Sequence, residues 1–218
     1  MEEVIERFSA LDALSVCRAA FVKRIPGVEG TNDKDEALRR LEIVHADARR
    51  TIEIADWPFV CAKQVHGNAI MVLDSPITKD EKYFGHDGFV TNQQHIALGV
   101  YVADCCAVYI VDPKTRAIGL VHSGKKGTEL GIAAKAIDLM REHFGTNPGN
   151  LVVQLSPCIR PPHYEIDFAA RIREQCQDAG VTQIHDSGVC TACDLNSYYS
   201  YRAEKGKTGR MLALLGLT

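Results

Sequence analysis

The stretch IALGVYVADCCAVYIVDPKTRAIGLVHSGKKGTELGIAAKAIDLMREHFG, residues 96–145, reads as three strands and a helix. Val, Ile, Leu and Tyr crowd IALGVYV (96–102), AVYIVD (107–112) and AIGLV (117–121), with Asp-Pro and Gly breaks around them. Leu130, Ala133, Ala134, Ile137, Met140 and Phe144 then recur at helical spacing over 127–145, and Gly145 follows as a stop. Upstream, FVCAKQV (59–65), AIMVLD (69–74) and GFVT (88–91) continue the strand pattern. Nearer the N-terminus, AAFVKRI (19–25) reads as a strand and TIEIA (51–55) as a short one. Between them, residues 34–50 carry Leu38, Leu41 and Val44 at helical spacing, with Ile43 flanking the stripe. Downstream, LVVQLSP (151–157) and RMLALLG (210–216) are strands. DFAARIREQCQDAG (167–180) is a helix with Phe168, Ile172 and Cys176 on one face, and LNSYYSYRAE (195–204) a short last helix. Consecutive strands flanked by helices predict an α+β or mixed α/β sandwich. With no linker, repeat or low-complexity tract, residues 1–218 are expected to form one domain.

Bulk properties narrow the function. A net charge of -3 with a pI near 6.2 gives no electrostatic case for nucleic acid or an anionic membrane. No run approaches the roughly 20 apolar residues of a membrane span, and MEEVIERFSALDAL is acidic where a signal peptide is basic. Eight cysteines without a secretory signal point to reduced thiols or metal ligands in a cytoplasmic protein.

Three segments each offer a soft ligand at the edge of an apolar run: KQVHGN, VADCCAVYIVD and GLVHSGKKGTELG, through His66, Cys105 and His122. Two imidazoles and a thiolate are a set that zinc accepts with a fourth position open. A Cys between two His is equally a nucleophile with candidate bases. Taken singly, each residue has a plainer reading: an exposed turn histidine before Gly67-Asn68, a buried thiol, an ordinary strand-to-helix turn with solvated lysines. In a strand, Cys105 and Cys106 would face opposite sides, one toward a pocket and one toward a core. SGKKGT would present Ser123, Thr128, Lys125, Lys126 and the backbone of Gly127 to an anion, although the spacing is not that of a Walker loop.

The order QVHG (64–67), DGFVT (87–91), VADC (102–105), HSGKKG (122–127), SPCIR…YEI (156–166) and SYR…TGR (200–210) resembles the bacterial polyphenol oxidase (laccase-domain) family. Its members are also described as purine nucleoside phosphorylases and peptidoglycan editing factors. The family carries QVHG, DA-[LF]-[VI]-T, TADC, HAGWRG, GPCIG…YEV and SYR…TGR. The resemblance runs from about residue 60 to the C-terminus. It implies an α/β fold of single-domain, layered α/β/β/α sandwich type with mixed sheets. It also implies that His66, Cys105 and His122 are both catalytic residues and ligands of zinc, with copper as an adventitious substitute. It singles out Cys105 over Cys106, and makes Asp104 an orienting carboxylate or a charge fixing nearby backbone. Asp87 matches the family's Asp, and serves the site or caps a turn. Arg24, in FVKR where the family has F-S-T-R, matches an arginine that would contact an anion or ribose, a plain surface arginine being the alternative.

The sequence also departs from that pattern. Lys125 and Lys126 stand where the family has Trp and Arg, which removes an aromatic face and a bidentate fork. Ser156 and Arg160 replace glycines and His163 stands where many relatives have Cys, changes expected near the pocket mouth. CTAC (190–193) is a lone CxxC, read with SYR…TGR as structural, Tyr201 and Arg202 tying the C-terminus to the body.

The implied function is zinc-dependent phosphorolysis of adenosine, inosine, guanosine or methylthioadenosine, with adenosine deamination beside it. Partners would be a purine nucleoside and phosphate, and the state a monomer or homodimer. The alternatives are a cysteine hydrolase acting on peptidoglycan precursors, a copper-loaded phenol oxidase, and a non-catalytic zinc module. Multicopper oxidation needs His-x-His pairs, and none of the eight histidines forms one.

Overall fold

The computed structural model describes residues 2–218 and arranges their strands in two six-stranded sheets. The first holds, in spatial order, β1 (Ile5–Glu6), β2 (Cys17–Val22), β12 (Met211–Leu217), β7 (Ala97–Val102), β3 (Phe59–Lys63) and β5 (Glu81–Phe84). The second holds β11 (Gln183–Asp186), β10 (Val152–Leu155), β8 (Cys106–Asp112), β9 (Ala117–Ser123), β6 (Gly88–Thr91) and β4 (Met71–Leu73). Both are mixed: β3 runs parallel to β5 and β7, β4 to β6, and β10 to β11, while the other pairs are antiparallel. The helices are α1 (Ser9–Asp12), α2 (Lys34–Thr51), α3 (Lys125–Glu129), α4 (Ile132–Phe144) and α5 (Phe168–Asp178).

Alternation along the strands explains the layering. Leu98 and Val100 lie opposite Leu215 and Ala213, and these side chains meet Tyr109, Val111, Ile118 and Leu120 of the second sheet. The intervening residues Val108, Ile110 and Val121 face outward, against Ile137 and Met140 of α4 and Ile172 of α5. On the far side, Tyr101 and Leu212 border the groove under α2, where the His45 ring lies 5.7 Å from that of Tyr101. The α/β/β/α layering expected from the sequence is the one observed. Every residue of β8, β9 and β12 is buried, as befits strands covered on both faces. Tyr109 reaches across the inter-sheet core, its hydroxyl donating to the Ala20 carbonyl at 2.7 Å. No helix among the described residues is long and apolar enough to cross a membrane.

Three expectations fail. TIEIA holds the last residue of α2 and the turn that follows it, and no strand. Glu53 adopts φ 62°, and the Glu53 and Ile54 N–H groups return to the Arg50 and Arg49 carbonyls. The buried Ile52 and Ile54 thus pin a helix terminus to the core, which mimics strand alternation. The helix expected over 127–145 is split at Gly131, whose φ of 70° ends α3 and starts α4. Residues 195–204 form turns, because Tyr198 and Tyr199 go to the core while Tyr201 stays exposed, a demand no single helix face meets.

Candidate metal and nucleoside site

The chain crosses from the first sheet to the second three times at one place, and those crossovers build the site. Residues 64–70 join β3 to β4, 85–87 join β5 to β6, and 103–105 join β7 to β8. His66 lies in the first, Asp87 in the second and Cys105 in the third. His122, near the end of β9, completes the group. The Gly67-Asn68 pair is therefore part of a crossover and not a hairpin. Cys105 sits in a bend and only Cys106 in the strand, so the strand alternation expected of the pair does not apply. The side chains part all the same: Cys106 is in the core beneath α4, and Cys105 lines a cavity. His66 (φ 60°) and Asp104 (φ 81°) turn in the left-handed region, uncommon for non-glycine residues and worth about 1–3 kcal/mol of strain each.

One ligand atom from each of His66, Cys105 and His122 lies within 4.8 Å of the other two. The two imidazoles meet edge to face, 4.8 Å between centroids. Gln64 holds the first crossover in register, its amide donating to the Tyr101 carbonyl and accepting from the Tyr101 N–H at 2.8 and 3.1 Å. Gly124 is fixed by close approach, since a Cβ there would stand 2.6 Å from the Cys105 sulfur.

Asp87 joins these parts, bonding both to the turn at 65–67 and to His122. It is fully buried and accepts from the N–H groups of Val65, His66 and Gly67 at 3.3, 2.9 and 2.7 Å. It also accepts from His122 Nδ1 at 2.9 Å, which orients the ring and leaves Nε2 to the cluster. Burial works to raise its carboxyl, but the His122 bond and the backbone donors prevail and hold it down at about 2. Burial likewise opposes ionisation of Cys105, yet the facing charge and hydrogen bond of His122, with those of His66, bring it down to about 6. For His122 burial pushes down, and the Cys105 thiolate and Asp87 together lift it to about 9. Without metal the pair is a thiolate facing an imidazolium.

Selective chemistry follows, because burial pushes Cys17 up to about 11 and Cys176 to about 12. In metal-free protein at pH 7, iodoacetamide is expected to label Cys105 first, its rate falling as pH drops through about 6. A labelling midpoint near 9 by peptide mass spectrometry would show that the imidazoles do not act on it.

The cluster opens into a cavity of about 550 Å³. Five cations line it, Lys34, Lys125, Lys126, Arg202 and Arg210, and so do the rings of Tyr101, Tyr164, Phe168 and Tyr201. This local positive field stands against the chain's net charge of -3. Burial, with Arg210 nearby, lowers Lys34, and burial lowers Arg210 as well.

Other sequence expectations are displaced. Arg24 does not line the cavity: it pairs with Glu204, donates to the Tyr198 carbonyl and lies 4.3 Å over the Tyr199 ring. SGKKGT is not a loop, since β9 runs to Ser123 and Lys125, Lys126 and Gly127 lie in α3. Ser123 and Thr128 are buried and bonded to each other at 2.8 Å, and Gly127 is packed against the Gly67 and His122 carbonyls. The segment therefore gives the cavity only its two lysines. Ser156 caps Ala107 N–H, Arg160 pairs with Asp186, and His163 lies apart, so none of the three lines the cavity. Asp104 fixes backbone, its carboxylate accepting from Thr191 Oγ1 and Arg202 N–H at 2.8 and 2.7 Å. Tyr201 and Arg202 are cavity wall as much as tether, and Arg202 lies 4.5 Å over Tyr164. Sequence reasoning missed Lys34, Phe168 and Arg210. The Arg of TGR was the available signal for the last, whereas Lys34 and Phe168 read as plain helix residues.

The sequence and the fold have counterparts. The chain matches the family model described as multi-copper polyphenol oxidoreductase laccase over residues 29–169 and 163–218. It is 30% identical to the purine nucleoside phosphorylase YlmD of Geobacillus stearothermophilus, the alignment covering 81% of this chain and 79% of that one. The Bacillus subtilis protein of the same name is 27% identical over 85% and 79%. Among solved structures, YlmD from Geobacillus stearothermophilus superposes with a TM-score of 0.80 at 22% identity, covering 98% of both chains. The Bacillus licheniformis hypothetical protein YfiH gives 0.77 at 25% identity over 93% of each. The chain belongs to the laccase-like polyphenol oxidoreductase family.

Proposed function

We propose that this member of the laccase-like polyphenol oxidoreductase family is a zinc-dependent purine nucleoside enzyme. Its reaction is the phosphorolysis of adenosine, inosine, guanosine or methylthioadenosine, with adenosine deamination as a second activity of the same pocket. The observation that carries this reading is the convergence of His66, Cys105 and His122 in a cavity lined by both cations and aromatic rings. The donor set fits zinc, with one thiolate, two imidazoles and a carboxylate behind His122 to fix its tautomer. Bound there, zinc supplies Lewis acidity with an open fourth position. The chain's own residues do the rest. Tyr101, Tyr164 and Phe168 offer faces and edges to a purine, and Lys125, Lys126, Arg202 and Arg210 offer charge to a phosphate. In phosphorolysis a phosphate oxygen bonds to the ribose C1′ as the C1′–N9 bond breaks. The electron pair goes to the purine, which takes a proton from dihydrogen phosphate. In deamination water adds at C6 and ammonia leaves.

Mass-spectrometric product analysis after incubation with adenosine, with and without phosphate, tests this. Adenine with ribose 1-phosphate, formed only with phosphate, is the expected result, and inosine marks the second activity. Absence of both products would overturn the reading. One observation favours a second reading, a cysteine hydrolase: the Cys105 thiol stands between two imidazoles, which bring it down to about 6. Full activity in zinc-free protein would select it. Copper would enter the same three ligands only when supplied.

The two lysines of α3 give a sharper test. Relatives' Trp and Arg would add a stacking face and a planar fork where Lys125 and Lys126 line the cavity. Lys125→Trp with Lys126→Arg is expected to raise nucleoside turnover several-fold at fixed phosphate. Flat or lower turnover would mean that the pocket is tuned to another substrate.

A further inference from the structure

CTAC, which has no part in the proposed reaction, lies folded against a histidine 27 residues upstream of its first cysteine. His163 Nδ1 stands 3.8 Å from the Cys190 sulfur and 3.5 Å from that of Cys193, and the three atoms lie within 4.8 Å of one another. Both cysteines are free thiols. A zinc ion held at about 2.3 Å by sulfur and about 2.0 Å by nitrogen sets its sulfur and nitrogen ligands about 3.6 Å apart in a tetrahedron. The observed spacings match that edge, and among the described residues no other group bonds to His163 Nδ1. We propose that His163, Cys190 and Cys193 form a second zinc site, separate from the His66–Cys105–His122 cluster.

Its backbone supports this. The Cys193 N–H closes a turn on the Cys190 carbonyl at 3.1 Å, which sets both sulfurs on one side of the CxxC turn. Cys190 is anchored by backbone β-pairing with Cys158, and His163 by a turn in which its N–H donates to the Arg160 carbonyl at 2.9 Å. Cys190 is buried, while His163 and Cys193 are exposed, so water reaches the fourth position and the metal can enter without unfolding. Two thiolates and an imidazole select a soft divalent ion such as zinc over magnesium or calcium.

The site joins a segment of the cavity wall to one that bonds to Asp104. Tyr164, next to His163, lines the cavity, and Thr191, between the two cysteines, donates to Asp104 beside Cys105. The two centres are thus mechanically connected through Asp104 while sharing no ligand. Zinc here clamps residues 158–164 to 190–193.

The test is a zinc count that needs no nucleoside activity. Reduced protein is loaded with zinc chloride, gel-filtered and analysed by elemental mass spectrometry. Wild type is expected to hold about two zinc ions per chain and Cys105→Ala about one. Adding His163→Ala or Cys193→Ser, both at exposed positions, is expected to bring Cys105→Ala to none, with an unchanged far-UV spectrum. Cobalt loading gives a second measure, since thiolate-to-cobalt charge-transfer bands should persist in Cys105→Ala and vanish in Cys105→Ala/Cys193→Ser. A Cys105→Ala chain that binds no zinc or shows no such bands overturns the proposal. So does a double variant that keeps its zinc, or a Cys190–Cys193 disulfide in protein prepared under reducing conditions.

Discussion

Cys105→Ala is expected to abolish zinc binding at the His66–His122 cluster and to reduce nucleoside turnover on the order of 10³-fold or more. The sulfur is the one thiolate of that group, and two imidazoles alone are a poor zinc site. The fold should survive. Cys105 lies in the bend before β8, and truncation leaves room beside Gly124 where a larger residue would clash. A urea midpoint close to wild type, together with lost turnover, separates chemistry from stability. Lost turnover with the cluster's zinc retained would favour Cys105 as nucleophile over ligand. Undiminished turnover would place the active centre elsewhere. Total zinc should fall by one ion and not to zero, because His163, Cys190 and Cys193 keep theirs.

The layers of the fold were legible because strands and helices write their period into the chain. Buried runs such as AVYIVD and AIGLV, short and bounded by turn signals, read as covered strands, and Phe168, Ile172 and Cys176 as one face of a helix. Legibility failed where a residue's environment is set by something distant. Ile52 and Ile54 alternate like a strand but serve a helix end, which a left-handed Glu53 makes possible. Strand β5 (Glu81–Phe84) is half exposed at a sheet edge, and β11 (Gln183–Asp186) is another edge strand, so neither carries a hydrophobic signature.

The candidate site shows the same division. His66, Cys105 and His122 could be marked because each stands at the end of an apolar run, where strands stop. That two sheet-to-sheet crossovers and the end of β9 would gather them was not written in their spacing. Nor was the identity of the cavity's cations. Lys34 opens α2, Arg210 precedes β12, and only the tertiary fold brings both to Lys125 and Lys126. Arg24 failed for the converse reason: a fitting residue type was claimed first by Glu204 and Tyr199. CTAC carries little signal in the sequence, because a CxxC is weak until a third ligand is found and His163 lies far from it along the chain.

Asp87→Asn should be the most damaging near-isosteric change in the chain. The carboxylate receives four donors, from Val65, His66, Gly67 and His122, and gives nothing in return. An amide in its place has one acceptor oxygen, and its NH₂ would face donors in a fully buried space. The expected cost is about 3 kcal/mol of stability at pH 7. A 10- to 100-fold loss of zinc affinity should accompany it, as the His122 ring loses its orienting partner. The pH dependence has a definite sign. The Asp87 carboxyl lies at about 2 in the folded chain against an ordinary 3.8, so its contribution is complete above about 3.8 and lost as pH falls toward 2. The Cys105 thiolate and Asp87 together lift His122 from 6.5 to about 9, so the share due to Asp87 is complete below 6.5 and lost as pH rises through 9. The stability gap between wild type and Asp87→Asn, measured by urea unfolding of metal-free protein, should therefore be widest between about pH 4 and 6.5. It should narrow toward pH 2 and again toward pH 9. A gap that stayed constant across that range would mean that the ion pair is not what holds the three crossovers together, and that shape alone anchors His66 to His122.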